Sequence, residues 1–374
     1  MTLATVSLLK HGLLFISALV TTVALTPVAI KLAGMTGFLD HPAPTKFHRK
    51  PTPYLGGLAV AVAVLGGLVA ILVRVPELRW QFAAIALGGV LVSVIGLIDD
   101  LRILGPRPRI AVQIIGGSAL WAGGVRVAPS HVIPLDFAIT VFVVLAITNA
   151  VNLLDNMDGL SSGTVAIASL AFFVAAYWQG QQLVSAMAIM LAGACIGFLP
   201  YNFNPARIFL GDAGTLFLGF LLATLAMKLR LHGYPVVTRI SVPLFILAVP
   251  LFDMTLVVIS RLRAGRPVFL GGTDHSSHRM VALGVTTRQA ALITYAVCAV
   301  CGGIGLELLA VASPALTWVA LGGGAVIGIV LLWTLEAVHI QEVGGSPAKL
   351  TAPVPIVRNS APPDILKGIS GGGK

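Results

Sequence analysis

Long apolar runs separated by short polar loops dominate the hydrophobic pattern of the chain. About eleven of these runs approach the roughly 20 residues that an α-helix needs to cross a bilayer. The pattern therefore predicts an all-α polytopic membrane protein with about 11 transmembrane helices. The predicted spans are residues 8–32, 55–73, 80–98, 110–124, 135–154, 160–178, 182–199, 213–227, 240–260, 288–310 and 315–335.

Two segments depart from this apolar pattern. Residues 125–134 contain strand-type residues around Pro129 and Ser130, which predicts a short extracytoplasmic β-hairpin. Residues 341–374 are rich in Gly, Pro, Ser and Ala and are expected to form a disordered cytoplasmic tail. We therefore expect a single transmembrane catalytic domain over residues 1–340.

Composition strengthens the membrane interpretation. Hydrophobic residues make up 57% of the chain and charged residues 10%, whereas soluble domains carry roughly 25% charged residues. The net charge of +10 comes from Lys and Arg in short loops, so no nucleic-acid partner is expected. Most of these cations fall on one side when the loops are assigned alternately, and the positive-inside rule makes that side cytoplasmic and the N-terminus extracytoplasmic. The same side receives Asp40, Asp99, Asp100, Asp155, Asp158, Asp212 and Asp274.

The polar stretch N-A-V-N-L-L-D-N-M-D-G-L-S-S-G spans residues 149–163 and interrupts two apolar runs. Asn149, Asn152, Asp155 and Asp158 recur every third residue and would form one polar ridge on a helix, with Asn156 beside Asn152. No Lys or Arg lies in the stretch to balance its acids. A divalent cation with a phosphate would supply that balance. The alternative is that the acids only make a loop soluble.

Two further acidic motifs stand at predicted helix ends. G-L-I-D-D-L-R places Asp99 and Asp100 together, which suits a metal or acid–base pair because neighbouring carboxylates raise each other's pKa. F-L-G-D-A-G-T places Asp212 at a helix start, where it is either a simple N-cap or a Mg²⁺ ligand beside a bound phosphate. A charged helix stop is the alternative for the first motif.

Two basic motifs complete the set. G-T-D-H-S-S-H-R contains His275, His278 and Arg279, for which anion binding oriented by Asp274 is preferred over a zinc site or a solvated loop. K-F-H-R-K-P-T-P-Y-L-G-G presents Lys50 before two prolines, either to bind a diphosphate or only to fix topology. Buried Asp253 should require a basic partner.

Taken together and in this order, these motifs resemble the polyprenyl-phosphate N-acetylhexosamine-1-phosphate transferases. The resemblance implies transfer of a sugar 1-phosphate from a UDP-sugar to a polyprenyl phosphate, with release of UMP. It implies a cytoplasmic active-site cleft, a requirement for Mg²⁺ with Mn²⁺ as a substitute, a bacterial inner membrane location and a homodimer, which is common in the family. Histidine-rich H-H-H loops mark the muramoyl-pentapeptide branch, so D-H-S-S-H-R implies the simple-hexosamine branch and UDP-GlcNAc as donor.

The motifs assign residues to three roles under this resemblance. The expected catalytic residues are Asp99, Asp100, Asp155 and Asp158. The expected metal ligands are Asp212 and Asp155. The expected donor and phosphate ligands are Lys50, Asn152, Asn156, Arg207, His275, His278 and Arg279.

Two other functions compete with this interpretation. One is the phospho-muramoyl-pentapeptide transferase branch, against which the histidine loop argues. The other is an ion-coupled secondary transporter, which would place polar groups near the bilayer midplane and show repeated halves. Here the polar motifs gather at one predicted membrane face, and no internal repeat is visible.

Overall fold

The computed structural model describes residues 3–40, 50–73, 77, 79–102, 104–127, 129–130, 132–269 and 272–338. The predicted tail and the basic residues Lys46, His48 and Arg49 therefore lie outside the described residues. The described chain is a bundle of helices. Their bounds are α1 Leu3–Thr36, α2 Gly56–Leu72, α3 Arg79–Arg102, α4 Pro106–Ala122, α5 Ile133–Leu154, α6 Leu160–Trp178, α7 Gln182–Asn202, α8 Gly211–Lys228, α9 Val236–Ile246, α10 Ala248–Arg263, α11 Ser276–Ala282, α12 Thr287–Val311 and α13 Pro314–Glu336.

Ten of the predicted spans overlap one helix each, and the span 240–260 covers two helices, α9 and α10. The predicted count of about 11 spans is not confirmed. Among the described residues, eight helices are long and apolar enough to cross a bilayer, and the pair α9 and α10, bent by 76°, makes a ninth if it is counted as one span. The helix α2 is apolar but has 17 residues, and α4, also 17 residues long, carries Arg107 and Arg109 in its first turn. Multiple apolar helices make this a multi-pass membrane protein.

The predicted hairpin at residues 125–134 is wrong. The residues described there before position 133 form no strand, and α5 begins at Ile133 with Pro134 in its first turn, where proline is well tolerated. Asp136 also accepts hydrogen bonds from the Ser130 backbone and hydroxyl, which folds the loop onto the helix start. The described strands are instead β1 (Leu39–Asp40) and β2 (Thr52–Pro53), which pair antiparallel.

The helices differ strongly in burial. In α7 and in α8, 78% of an apolar 18-residue stretch is buried, whereas in α13 the share is 6%. Central helices therefore form the protein core, and α13 presents its side chains to the lipid. Close packing in the centre depends on small residues, since a Cβ at Gly193 or Gly197 would collide with the backbone of α1.

Candidate active site

The end of α3 packs directly against the start of α8. A Cβ at Gly96 would overlap the Asp212 backbone, so only glycine permits this approach. Asp100, on the same helix turn, accepts hydrogen bonds from the backbone N–H groups of Asp212 (2.9 Å) and Ala213 (3.2 Å). The carboxylate therefore caps α8 from a different helix and lies at the positive end of its dipole. Gly211, at φ +68°, leaves space for it.

One guanidinium joins two acids of this site. Arg109 Nη1, in the first turn of α4, lies 2.9 Å from Asp99 Oδ2 and 2.8 Å from Asp212 Oδ2. Asp99 also accepts a hydrogen bond from the Leu104 backbone. The Asp212 side chain remains 28% exposed, so it is open to a ligand. The sequence interpretation did not select Arg109, although its place after the D-D pair was visible.

The last two turns of α5 supply the amides of the site. Asn152 Nδ2 donates to Asp212 Oδ1 (2.8 Å) and to Thr215 Oγ1 (2.8 Å), and Asn149 Nδ2 donates to Gln113 Oε1 (2.6 Å) on α4. These bonds orient Asp212 and tie α5 to α8 and α4.

The predicted continuous ridge is wrong beyond Asn152. The helix α5 ends at Leu154, so Asp155 is its C-cap and Asp158 lies in the turn before Gly159, whose φ is +76°. Two of the four ridge positions are therefore not helical.

Asp155 is the acid of this site whose negative charge the surrounding residues stabilise least. It is half-buried, and no described residue donates a hydrogen bond to its carboxylate. Burial, followed by the charges of Asp212, Asp100 and Asp158, raises the pKa of Asp155 to about 8. Its position at a helix C-terminus also disfavours negative charge. A bound cation would relieve all of these costs.

We call Asp99, Asp100, Asp155 and Asp212 the acidic cluster. Arg109 is the one cation that pairs with them among the residues that the structure describes. In that part of the chain no group of three or more His, Cys, Asp or Glu side chains is preformed as a metal site. The donor set nevertheless fits a hard divalent cation, because the described residues offer carboxylate oxygens in excess of positive charge and none of them donates a hydrogen bond to Asp155.

Asp158 has a different environment from the other acids. Its Oδ2 accepts hydrogen bonds from Asn204 Nδ2 (2.9 Å) and the Ala206 backbone (3.0 Å), so it fixes the loop between α7 and α8. Arg207, in that loop, is exposed, donates to the Pro200 carbonyl and stacks 5.0 Å over Tyr201. Both contacts of Arg207 stabilise the loop between α7 and α8.

The motif around Lys50 lies beside the start of α8. The Pro53 carbonyl accepts from the Phe209 backbone (2.8 Å), and Gly57 N–H donates to the Leu210 carbonyl (2.9 Å). Lys50 itself is exposed. Tyr54, which the sequence interpretation missed, lies near Asp100 and Asp212. Burial and the charges of Asp40, Asp100 and Asp212 raise the pKa of Tyr54 above its usual range.

The second polar group, the histidine cluster, surrounds α11. Asp253 accepts from Ser276 N–H (2.8 Å) and Ser276 Oγ (2.6 Å), and its Oδ2 lies 2.8 Å from His275 Nδ1. Asp253 therefore has the basic loop partner expected for it. Asp274 is paired with Arg261 (3.1 Å) and Arg266. We define the histidine cluster as Asp253, Asp274, His275, His278 and Arg279.

His278 and Arg279 do not present free charge. Burial and His275 lower the pKa of His278 to about 4, so this imidazole is neutral at neutral pH. Arg279 is 5% exposed and donates to the carbonyls of Asp274 (3.1 Å) and Leu335 (2.5 Å) and to the Ser260 hydroxyl. Its contacts are with the protein scaffold and do not include the acidic cluster.

A side-chain hydrogen bond joins the two segments that carry the clusters, between a neighbour of His278 and a neighbour of Asp155. Ser277 Oγ donates to Asn156 Oδ1, and Asn156 Nδ2 donates to the Leu153 carbonyl (3.1 Å) at the end of α5. A small apolar cluster around Leu154 supports the same junction from α6 and α12. The structure thus brings Asp99, Asp100, Asp155, Asp212 and Asn152 together directly, and His275 and His278 adjoin them through α11.

The amino-acid sequence of the chain is similar to those of known proteins. The model of glycosyl transferase family 4 matches residues 82–230. A probable undecaprenyl-phosphate N-acetylglucosaminyl 1-phosphate transferase of Bacillus subtilis is 31% identical, over 75% of this chain and 80% of the relative. A decaprenyl-phosphate N-acetylglucosaminephosphotransferase of Mycobacterium tuberculosis is 32% identical over 75% and 77%. A phospho-N-acetylmuramoyl-pentapeptide-transferase of Moorella thermoacetica is 30% identical over 80% and 98%.

Proposed function

Because the chain belongs to glycosyl transferase family 4, we propose that it transfers N-acetylglucosamine 1-phosphate from UDP-N-acetylglucosamine to a polyprenyl phosphate. The products are UMP and a lipid-linked diphosphate sugar, as in the first membrane step of cell-envelope polysaccharide synthesis. The observation that supports this proposal is the acidic cluster, whose excess of carboxylate lies at the ends of membrane helices. There, a charged nucleotide and a lipid phosphate can meet.

Mg²⁺, with Mn²⁺ as a substitute, is the proposed cofactor. Asp212 and Asp155 would hold it, since Asp212 is partly exposed and is oriented by Asn152, and no described residue donates a hydrogen bond to the Asp155 carboxylate. When bound, the ion would neutralise the diphosphate as negative charge develops in the transition state. The remaining catalytic work falls to side chains of this chain.

Direct attack by the lipid phosphate is the simplest chemistry for this site. An acceptor oxygen forms a bond to the sugar-bearing phosphorus, and the bond to the UMP oxygen breaks with its electron pair leaving on UMP. A phosphate monoester is mostly ionised at neutral pH because its second pKa is about 6, so Asp99 need accept only a residual proton. Arg109 holds Asp99 and Asp212 in register, and Asp100 fixes the start of α8.

Donor recognition is assigned to the neighbouring loops. His275 and His278 on the α11 segment, with Lys50, Asn156 and Arg207, are proposed to surround the diphosphate and sugar. Neutral His278 would serve as an N–H donor. Asn152, Asp158 and Arg279 are given positioning roles on the strength of the bonds described above, in place of the direct roles suggested by the motifs.

The cellular arrangement follows the charge of the loops. We place the protein in the bacterial inner membrane, with the N-terminus outside and the acidic cluster facing the cytoplasm, where UDP-sugars are made. A homodimer is proposed as the assembly.

The test is UMP release by the purified protein in detergent with UDP-N-acetylglucosamine, polyprenyl phosphate and Mg²⁺. Release should require all three components and should stop with EDTA. Release without the lipid, or uptake of ions into liposomes without turnover, would contradict the proposal.

The same assay includes UDP-N-acetylmuramoyl-pentapeptide as a second donor. The reason is that the similarity to the Moorella relative covers 98% of that relative's length. Preference for this donor would reassign the protein to the muramoyl-pentapeptide branch, whereas preference for UDP-N-acetylglucosamine supports the main proposal.

A further inference from the structure

The outermost helix of the protein ends on the histidine cluster. Most of α13 is exposed, but its last turn is held from two sides. Arg279 Nη1 donates to the Leu335 carbonyl at 2.5 Å, and Ser260 Oγ donates to Glu336 Oε2 at 2.6 Å. Arg279 Nη2 lies 3.5 Å from the same Glu336 oxygen. Three elements, α10, α11 and α13, therefore meet at one carboxylate.

Arg279 depends on that carboxylate for its charge balance. Its guanidinium is 5% exposed, and its other bonds go to neutral groups: the carbonyls of Asp274 and Leu335 and the Ser260 hydroxyl. The nearby Asp274 carboxylate is already taken by Arg261 and Arg266. A buried cation without an anionic partner is unfavourable, so Arg279 would turn toward Asp274 if Glu336 lost its charge.

Such a turn would disturb the residues assigned to the donor. Asp274 immediately precedes His275, and Ser277 on α11 bonds to Asn156 beside the acidic cluster. Glu336 bonds to none of these residues in the part of the chain that the structure describes, and it lies at the end of α13, the last described helix. Its influence on the site can therefore only be indirect.

We propose that Glu336 is a positioning residue for donor binding, which acts by holding Arg279 and Ser260 so that α11 presents its histidines to the UDP-sugar. This inference rests on the proposed function. It gives α13, which is otherwise a lipid-facing helix, a defined part in the specificity of the site.

The experiment measures donor and acceptor kinetics of Glu336→Gln in detergent. The substitution keeps the shape and an acceptor for Ser260 but removes the charge. We expect the KM for the UDP-sugar to rise about tenfold, as for loss of one charged hydrogen bond, with the lipid KM and kcat changed less than about twofold. Glu307→Gln is the matched control, because Glu307 is an exposed acid on α12. It should leave every parameter unchanged.

Two additional variants keep the proposal open to refutation. Ser260→Ala preserves both charges but removes the hydroxyl between them, and it should raise the donor KM about threefold even if Glu336→Gln folds poorly. Arg279→Gln combined with Glu336→Gln should be no worse than Arg279→Gln alone, since both remove the same contact. Additive effects in this cycle, an unchanged donor KM, or an equal rise in both KM values would overturn the inference.

Turnover by the wild-type protein distinguishes failure of the proposed function from failure of the proposed role of Glu336. Absence of UDP-sugar-dependent UMP release from the wild type would contradict the proposed function. Normal wild-type turnover with no donor-specific defect in Glu336→Gln or Ser260→Ala would contradict only the role of Glu336.

Discussion

The acidic cluster and the histidine cluster adjoin each other but balance their charges in opposite ways. In the acidic cluster, Arg109 is the one cation that pairs with the four carboxylates among the described residues, and it contacts only Asp99 and Asp212. No described residue donates a hydrogen bond to the Asp155 carboxylate. In the histidine cluster, Asp253 and Asp274 are each held by two or more donors, and Glu336 balances Arg279. The first cluster is open to a cation, whereas the second is already closed by the protein.

This difference indicates that the acidic cluster binds a ligand and that the histidine cluster stabilises the local structure. Charge left unbalanced at a partly exposed position costs stability and is retained where a ligand will supply the balance. Charge balanced by buried bonds specifies a local structure and has little left to offer a phosphate. Arg279, which looks like a phosphate ligand in the motif D-H-S-S-H-R, belongs to the second kind.

The largest expected effect is the loss of the central acid. Asp212→Asn should reduce turnover on the order of 10³-fold, because it removes a proposed metal ligand while Asn retains the shape and the bond to Asn152. Thermal unfolding in EDTA should show an intact fold. The matched control is Asp136→Asn at the opposite end of α5, for which turnover per folded protein should stay within about threefold. Near-normal rates in Asp212→Asn would remove it from the metal site.

The next effect concerns Arg109, the one cation that pairs with the acidic cluster among the described residues. Arg109→Gln should lower kcat by roughly 10- to 100-fold, because Asp99 and Asp212 lose their shared partner. The same change should lower the Mg²⁺ concentration needed for half-maximal rate, since a positive charge has left the neighbourhood of the metal ligand. Metal titration of the initial rate measures both.

Arg107→Gln provides the control for this prediction. Arg107 lies in the same first turn of α4 but is exposed and has no acid partner among the described residues. It should leave kcat and the metal requirement unchanged. A higher Mg²⁺ requirement in Arg109→Gln would mean that Arg109 assists cation binding and that the charge argument is wrong.

The sequence predicted the helices and the convergence of the acids for a clear physical reason. Apolar runs of membrane length allow little besides helix, and their number fixes which loops share a face. Asp99, Asp155 and Asp212 were expected to converge, and the structure brings them together around the start of α8. The bend of 76° between α9 and α10 was not visible, because one apolar run covers both helices.

The pairings inside the site could not be predicted. Arg109 and Asp212 are 103 residues apart, and nothing in either motif indicates that one bonds to the other. Glu336 was overlooked because it is the last residue of a lipid-facing helix. The limit of the polar ridge was missed because Gly159 adopts φ +76° only in a folded turn, and the letter Gly alone does not distinguish this from a packing position.

The pH dependence of the apparent Tm should differ between variants of the two clusters, and this effect is smaller than the effects on turnover described above. Burial and neighbouring acids raise the pKa of Asp155 to about 8, whereas its unfolded value is about 4. The folded state therefore holds more protons over this interval, and the free energy of unfolding falls as pH rises through it. In EDTA, the apparent Tm should fall by a few degrees from about pH 5.5 to about pH 8.5. Asp155→Asn should flatten that slope, and added Mg²⁺ should do the same for the wild type.

Asp274→Asn is the contrasting variant. Burial alone would raise the pKa of Asp274, but hydrogen bonds from Arg266 and Arg261 outweigh it and hold this pKa below its usual range. Its stabilising contribution is complete above the unfolded pKa of about 4 and is lost only as pH falls through the folded value. Asp274→Asn should therefore lower the Tm at every pH in this range without changing the slope. A changed slope would mean that the histidine cluster is not closed.

The smallest expected effect is at the bond between the clusters. Ser277→Ala removes the hydrogen bond to Asn156 and leaves both clusters otherwise complete. We expect the donor KM to rise about two- to threefold, because one neutral hydrogen bond contributes about 1 kcal/mol or less. Ser276→Ala, whose hydroxyl bonds to Asp253 within the histidine cluster, should lower the Tm without changing the donor KM. If the two variants had the same effect on donor KM, the clusters would have to be treated as one cooperative site, and the division between an open cluster and a closed one would not hold.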